Sequence, residues 1–206
     1  MKPSLIAPFA MLALIAWLPR PAAAQTETAV FAGGCFWGME AVFERLRGVK
    51  NVVAGFTGGA AATAHYPLVS TGLTGHAESI EISYDPSQIS YARLLDVFFT
   101  VAHDPTQLNR QGPDEGTQYR SAIFYRNPAQ ERAARAAIER LATSHRFNAP
   151  IVTQVVPLQK FYEAEHDHQH YYDRHPDAPY IVVNDVPKVK ALYAQFPQLV
   201  QIVSGR

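Results

Sequence analysis

The chain has 206 residues, 48% of them hydrophobic and 17% charged, with 18 basic side chains balancing 18 acidic ones. That is enough chain to bury one sizeable core. Zero formal charge without a Lys/Arg-rich run excludes the basic footprint of a nucleic-acid binder, and a single cysteine excludes an internal disulfide.

Residues 1–24 read as a secretory signal peptide. Lys2 gives a positive start, Leu5 to Leu18 is almost wholly apolar, and Ala22-Ala23-Ala24 offers small residues for cleavage. The apolar run is short of the ~20 residues a spanning helix needs. Cleavage after Ala24 is therefore favoured over a retained anchor, leaving residues 25–206 as one domain in the periplasm or outside the cell. Exported proteins meet oxidising conditions and usually pair their cysteines. An unpaired thiol in that setting points to intermolecular pairing or to a reactive group.

The apolar run Ala29 to Ala32 predicts a buried strand, and Gly33-Gly34 predicts a bend. Cys35 then opens a helix whose Phe36, Met39, Phe43 and Leu46 share one face, closed by Gly48. Unpaired amides at a helix start carry partial positive charge, so this position is expected to lower the thiol pKa from its usual ~8.5. A buried structural cysteine is the alternative. Asn51 to Phe56 reads as a short strand. Residues 57–63 form a Gly/Ala-rich loop without a phosphate-loop signature, and residues 65–76 continue as irregular chain. From Glu78 to Tyr84 apolar and polar residues alternate, which predicts a half-buried strand. Glu78 has the parity of Ile80 and Ile82. A carboxyl on that face loses hydration and its pKa should rise; a strand-end ion pair would instead keep it ionised.

Ser90 caps a helix with Tyr91, Leu94, Leu95, Phe98 and Ala102 in one stripe. His103 to Gly116 is a long polar loop, a length that tends to be functional. Arg120 to Arg126 reads as a central strand. Asn127-Pro128 opens an Ala-rich helix with Glu131/Arg135 and Arg135/Glu139 one turn apart. Ile151 to Val156 is a further strand, Phe161 to Tyr172 a predicted helix, and Val186 to Phe196 a last short helix. This order favours an α+β fold: a two-layer sandwich with helices packed on a mixed sheet, the ferredoxin-like plait.

Two aromatics beside the thiol suggest an apolar clamp for a small group such as a methyl. A neutral glutamic acid and nearby phenols would address an oxygen on the same substrate, which together describe a sulfoxide. A Cys/His peptidase using His65, His76 or His103 as base is a rival, but the local signatures of such enzymes are missing.

Gly33-Gly34-Cys35-Phe36-Trp37-Gly38 resembles the signature of the A-type peptide methionine sulfoxide reductases. Thr74 to Glu78, the segment from His103 through Asp114 to Ser121, and Phe161, Ala164-Glu165, His168-Gln169 and Tyr171 resemble three further blocks of that family, in the same order. The resemblance implies that Cys35 attacks the sulfoxide sulfur and is left as a sulfenic acid. It implies that Phe36 and Trp37 line the methyl pocket, that protonated Glu78 serves the oxygen, that Tyr66 and Tyr119 donate to it, and that Asp114 orients the polar side. It further implies action on the S epimer of methionine sulfoxide in proteins, peptides or free form, by a monomer without bound cofactor or metal. Many members carry further cysteines that resolve the sulfenic acid. Here Ser70 stands where some have one, so an external thiol must do so: a thioredoxin-like protein, a glutathione-like thiol or a small dithiol. A second reading is an exported metal-binding domain in which His166 and His170 share one face of the helix predicted over Phe161 to Tyr172.

Overall fold

The computed structural model describes residues 26–201, so the predicted signal peptide lies outside the described residues. In chain order the elements are β1 (Glu27–Gly33), α1 (Phe36–Glu44), β2 (Val49–Thr57), α2 (Tyr66–Val69), β3 (Ala77–Tyr84), α3 (Tyr91–Val97), β4 (Arg110–Gln111), β5 (Asp114–Glu115), β6 (Ser121–Tyr125), α4 (Pro128–Thr143), β7 (Gln154–Pro157), β8 (Phe161–Glu163), α5 (Tyr171–Arg174) and α6 (Val186–Gln195). Six strands form one sheet in the order β7-β6-β1-β3-β2-β8. Only β6 and β7 run parallel within it; the other neighbours are antiparallel. The inner four, β6-β1-β3-β2, are joined as two β-α-β units, which is the ferredoxin-like plait the element order predicted. Strands β7 and β8 extend its two edges.

Strand parity divides the core. Ala29 and Phe31 of β1 face α1 and α3, while Val30 and Ala32 join Ala77, Ala122 and Phe124 on the opposite face. On the helix side Phe31 packs against Phe43 and Phe98, with ring centroids 5.8 and 4.9 Å apart, over Ile80, Ile82 and Tyr84. Each such side chain contributes about 1.5–3 kcal/mol by leaving water. Caps form where expected: Ser90 accepts from the Arg93 amide, and Asn127 from the Gln130 amide at 2.9 Å. Of the two ion pairs expected along α4, Glu131–Arg135 forms at 2.9 Å.

Several elements depart from the sequence pattern. Helix α1 stops at Glu44, before Leu46, because the C-terminal segment takes its place: Arg47 donates to the Leu199 carbonyl and Gln201 to the Arg45 carbonyl. Helix α3 runs on as a π-helical turn over Phe98–Ala102. The long polar loop contains the β4–β5 hairpin and is laced by Asp104, which accepts from the Thr106 amide and hydroxyl at 2.9 and 2.6 Å.

The helix predicted over Phe161 to Tyr172 is a correction. Phe161–Glu163 instead adds an edge strand to Gly55–Thr57, a 3₁₀ turn spans His166–His168, and helix begins only at Tyr171. Two interactions override the helical pattern. The open edge of β2 offers unpaired backbone groups. Buried Gln169 then accepts from the Ala54 amide and donates to the Ala54 and Ala164 carbonyls, at 2.9, 2.9 and 3.0 Å.

Candidate active site

Where β1 ends, Gly34 takes a φ of 91°, and a Cβ there would lie 2.5 Å from the Gln111 side chain. Only glycine makes that bend without strain. The bend delivers Cys35 to the N-cap of α1 with 7% of its surface exposed. Glu78, at the start of β3 and 1% exposed, faces the same point. Its Oε2 accepts from the Phe36 amide at 3.1 Å. No cation pairs with it among the described residues, so the strand-end ion pair does not form. Burial pushes its pKa up to about 8; the Phe36 amide opposes this and the Asp114 charge adds to it. At neutral pH Glu78 is therefore a carboxylic acid.

The expected ionisation of Cys35 by the helix start is corrected. Its pKa is raised well above the usual thiol range, first by burial, then by the charges of Glu78 and Asp185, while the Trp37 amide and Lys188 pull it down. The position is as expected, but the first free amide, that of Phe36, is taken by Glu78, and loss of hydration outweighs what remains of the helix-end field. Asp185 is fully buried and pairs with Lys188 at 3.0 Å.

Cys35, Trp37, Tyr66, Glu78, Asp114 and Tyr119 line one cavity of about 390 Å³. They arrive on five pieces of backbone, Cys35 and Trp37 sharing the start of α1 and Glu78 coming from β3. Trp37 is in the first turn of α1, Tyr66 opens α2, Asp114 opens β5, and Tyr119 ends a 3₁₀ turn over Thr117–Tyr119. Tyr66 is anchored by its amide, which donates to Glu165 at 3.0 Å. Burial raises its pKa to about 12, and burial likewise raises that of Tyr119. Both remain hydrogen-bond donors at any working pH. Phe36 is not on the cavity surface. It is fully buried beneath it, against Phe56, Tyr66 and His168, and so backs the rings that are.

Sequence reasoning missed the third wall. Tyr171, Ala178, Pro179 and Tyr180 also line the cavity. Tyr171 stacks on Trp37 with centroids 3.8 Å apart and planes 10° from parallel; Tyr180 meets the Trp37 ring edge-on at 5.7 Å and donates its hydroxyl to Asp114. His168 packs against Tyr66 with ring centroids 4.0 Å apart and planes tilted by 33°. Nothing in the local pattern around Tyr180 marks it. Only the block ending at Tyr171 gave a signal.

Histidine chemistry at the thiol is not supported. His76 is buried, accepting from the Gly59 amide and bonding the Ala60 carbonyl. His103 is held between the Phe98 carbonyl and the Ser121 hydroxyl, and His65 is an exposed partner of Glu165. No histidine lines the cavity, so a Cys/His peptidase has no base there. The metal reading on His166 and His170 is not favoured, since the helix that was to align them does not form. His170 instead turns its Nδ1 to Glu44 at 2.6 Å and its amide to Glu40 at 2.8 Å.

The model of the family described as peptide methionine sulfoxide reductase matches residues 27–199. The chain is 53% identical over 178 residues to the peptide methionine sulfoxide reductase MsrA 2 of Mesorhizobium japonicum, covering 86% of this chain and 91% of that one. It is 55% identical over 171 residues to the protein of the same name from Synechocystis sp., covering 83% and 80%. Among solved structures it resembles reduced Mxr1 of Saccharomyces cerevisiae, with a TM-score of 0.70 and 33% identity over 77% of this chain and 89% of that one; Mxr1 is also known in complex with Trx2.

Proposed function

The chain belongs to the peptide methionine sulfoxide reductase family, and from that premise we propose how its own residues carry the reaction. It reduces methionine sulfoxide to methionine through Cys35. The observation that carries this reading is a neutral, unpaired carboxylic acid bonded to the amide beside the thiol, both opening into one cavity.

A sulfoxide seated there turns its methyl towards Trp37, whose face is fixed by Tyr171 and Tyr180. Its oxygen lies towards Glu78, Tyr66 and Tyr119, whose protons are all in place near neutral pH. Asp114, tied to Tyr180, holds the polar side. The Cys35 sulfur bonds to the sulfoxide sulfur as its own proton leaves, and Glu78 delivers a proton to the oxygen. Expelling oxide without that proton is slow, and such general acids contribute about 10²–10⁴-fold. The hydroxyl then moves to the Cys35 sulfur as the S–S bond breaks: methionine departs, Cys35 holds the hydroxyl as a sulfenic acid, and the proton given up by the thiol restores Glu78. The sulfur of the substrate is reduced and that of the enzyme oxidised by the same two electrons. One epimer places methyl and oxygen on their proper walls; the family resemblance assigns this as the S epimer.

With no second cysteine in the sequence, the sulfenic acid is condensed by an external thiol to a mixed disulfide, releasing water, and a second thiol frees Cys35. A dithiol protein fits both steps, and the complex of yeast Mxr1 with Trx2 supports one of that type. The apolar leader over residues 1–24 supports export before the enzyme acts; N-terminal sequencing of exported protein should begin at Gln25, and Met1 would refute cleavage.

The test uses separated epimers of a methionine sulfoxide peptide with a small dithiol. Turnover of the S epimer alone, abolished in Cys35→Ala, is expected. No reduction of that epimer, or activity surviving without the thiol, would overturn the reading.

A further inference from the structure

Arg120 lies directly after Tyr119, and the mechanism above does not use it. Its Nη1 donates to the Thr117 carbonyl at 2.8 Å and to the His76 carbonyl at 3.1 Å; its Nη2 donates to the Gly75 carbonyl at 3.0 Å. Among the described residues no carboxylate pairs with it. Partial burial alone pulls its pKa down. A desolvated cation held only by carbonyls is costly, so a stability role is a poor reason for an arginine here. The socket is nonetheless shaped for it. Gly58 has a φ of 97°, and a Cβ there would lie 2.8 Å from Nη2 and 3.2 Å from the Gly75 oxygen.

The three carbonyls belong to the two segments that carry Glu78 and Tyr119 to the cavity. Gly75 and His76 lead into β3, and Glu78 follows two residues later. Thr117 opens the turn that ends on Tyr119. Strands β3 and β6 are not neighbours, since β1 lies between them. The ladder between β1 and β3 ends at Phe31–Ile80, and that between β1 and β6 ends at Gly33–Ser121. Glu78 and Tyr119 therefore project past the point where the central strand has turned away into Cys35. No strand pairing fixes their separation there. The guanidinium crosses that gap next to Glu78 and Tyr119, while the Thr117 hydroxyl to the Gly72 carbonyl at 2.8 Å and the Gln118 side-chain amide to the Ser70 carbonyl at 3.1 Å tie the turn only to chain further upstream.

We propose that Arg120 is a positioning residue whose guanidinium bridges the segments on either side of β1 and so sets the spacing of Glu78 and Tyr119. It rests on the reading that these two groups meet one sulfoxide oxygen. A planar fork with donors in fixed directions reaches all three carbonyls; an ammonium offers one point. The guanidinium's bonds go to the Thr117, His76 and Gly75 carbonyls and none to the Glu78 carboxyl, so Arg120 acts through spacing.

The experiment compares Arg120→Lys, Arg120→Met, Tyr119→Phe, Glu78→Gln and the Arg120→Met/Tyr119→Phe double variant, with a methionine-S-sulfoxide peptide and enzyme concentration normalised by Cys35 alkylation. In both Arg120 variants kcat should fall roughly tenfold or more, as misplaced groups do, with KM nearly unchanged and the alkaline limb near pH 8 unmoved. The double variant should lose no more than about threefold beyond Tyr119→Phe, because groups acting as a unit are non-additive. Should Arg120→Met fail to fold, Arg120→Lys decides alone through its kcat, KM and pH limb. Wild-type kcat in Arg120→Lys, or fully additive losses, would overturn the proposal. Wild-type kcat in both Tyr119→Phe and Glu78→Gln would overturn the underlying reading and the proposal with it.

Discussion

Replacing Glu78 by Gln should make the protein more stable and much less active, and pH should separate the two effects. Glu78 is 1% exposed and its pKa rises from 4.5 in the unfolded chain to about 8 in the folded one. The folded state therefore binds this proton more tightly than the unfolded state. For a raised pKa, the group's favourable contribution is fully present below about pH 4.5 and is lost as pH rises towards 8. The loss is about 1.4 kcal/mol for each pH unit in that window. At pH 7 the wild type carries a penalty on the order of 3 kcal/mol that Gln, which never ionises, does not. The amide oxygen can still accept from Phe36, so the local bond survives. Urea unfolding of both proteins between pH 5 and pH 8 should show a stability difference that grows in favour of Glu78→Gln with pH. Other titrating groups, Glu40 among them with its own pKa raised to about 8 by burial, cancel in the difference. Single-turnover rates at pH 6–7 should fall by about 10²–10⁴, and the gap should narrow above pH 8, where the wild type loses its acid as well. A pH-independent stability difference, or near-normal turnover at pH 6.5, would refute the reasoning.

Two further outcomes test the surroundings. Alkylation of Cys35 by iodoacetamide in the free enzyme should be slow at pH 7–8 and rise only well above the usual thiol range. Asp185→Asn should shift that profile down, since the buried Asp185 charge is one of the forces raising the thiol pKa; an unshifted profile would remove Asp185 from the account. Gln169→Leu removes the partner of the Ala54 amide and of the Ala164 carbonyl, while the Ala54 carbonyl keeps the Ala164 amide, which should cost about 2–4 kcal/mol in chemical unfolding; a loss under about 0.5 kcal/mol, as at an ordinary surface site, would show that the clip is dispensable.

The plait was legible because strand parity and helical stripes are local signals. The run from Glu78 to Tyr84 placed its carboxyl on the core side correctly, and Phe31 and Val30 took opposite faces as alternation requires. What failed was decided between distant segments. The stretch from Phe161 to Tyr172 carries helical spacing, yet the free edge of β2 and the side chain of Gln169 outweigh a preference worth tenths of a kcal/mol per residue. Cys35 was located correctly and its ionisation misjudged. The helix start is visible in sequence; the competing claim of Glu78 on the Phe36 amide, and the burial by Tyr171 and Tyr180, are not. Tyr180 approaches Trp37 through folding alone, and no spacing announces that.

The wall that closes over Cys35 is built from the last third of the chain, held down by Gln169 on β2. Cys35 is made early and covered late. Were that wall to open, more of the thiol would face water, and with less burial its pKa would fall towards the ordinary range. An unfinished or partly opened molecule therefore exposes more thiolate than the folded one, and thiolate is the form that oxidants consume. Folding thus protects the same sulfur it prepares for catalysis. Between turnovers the native state stores Cys35 protonated and shielded.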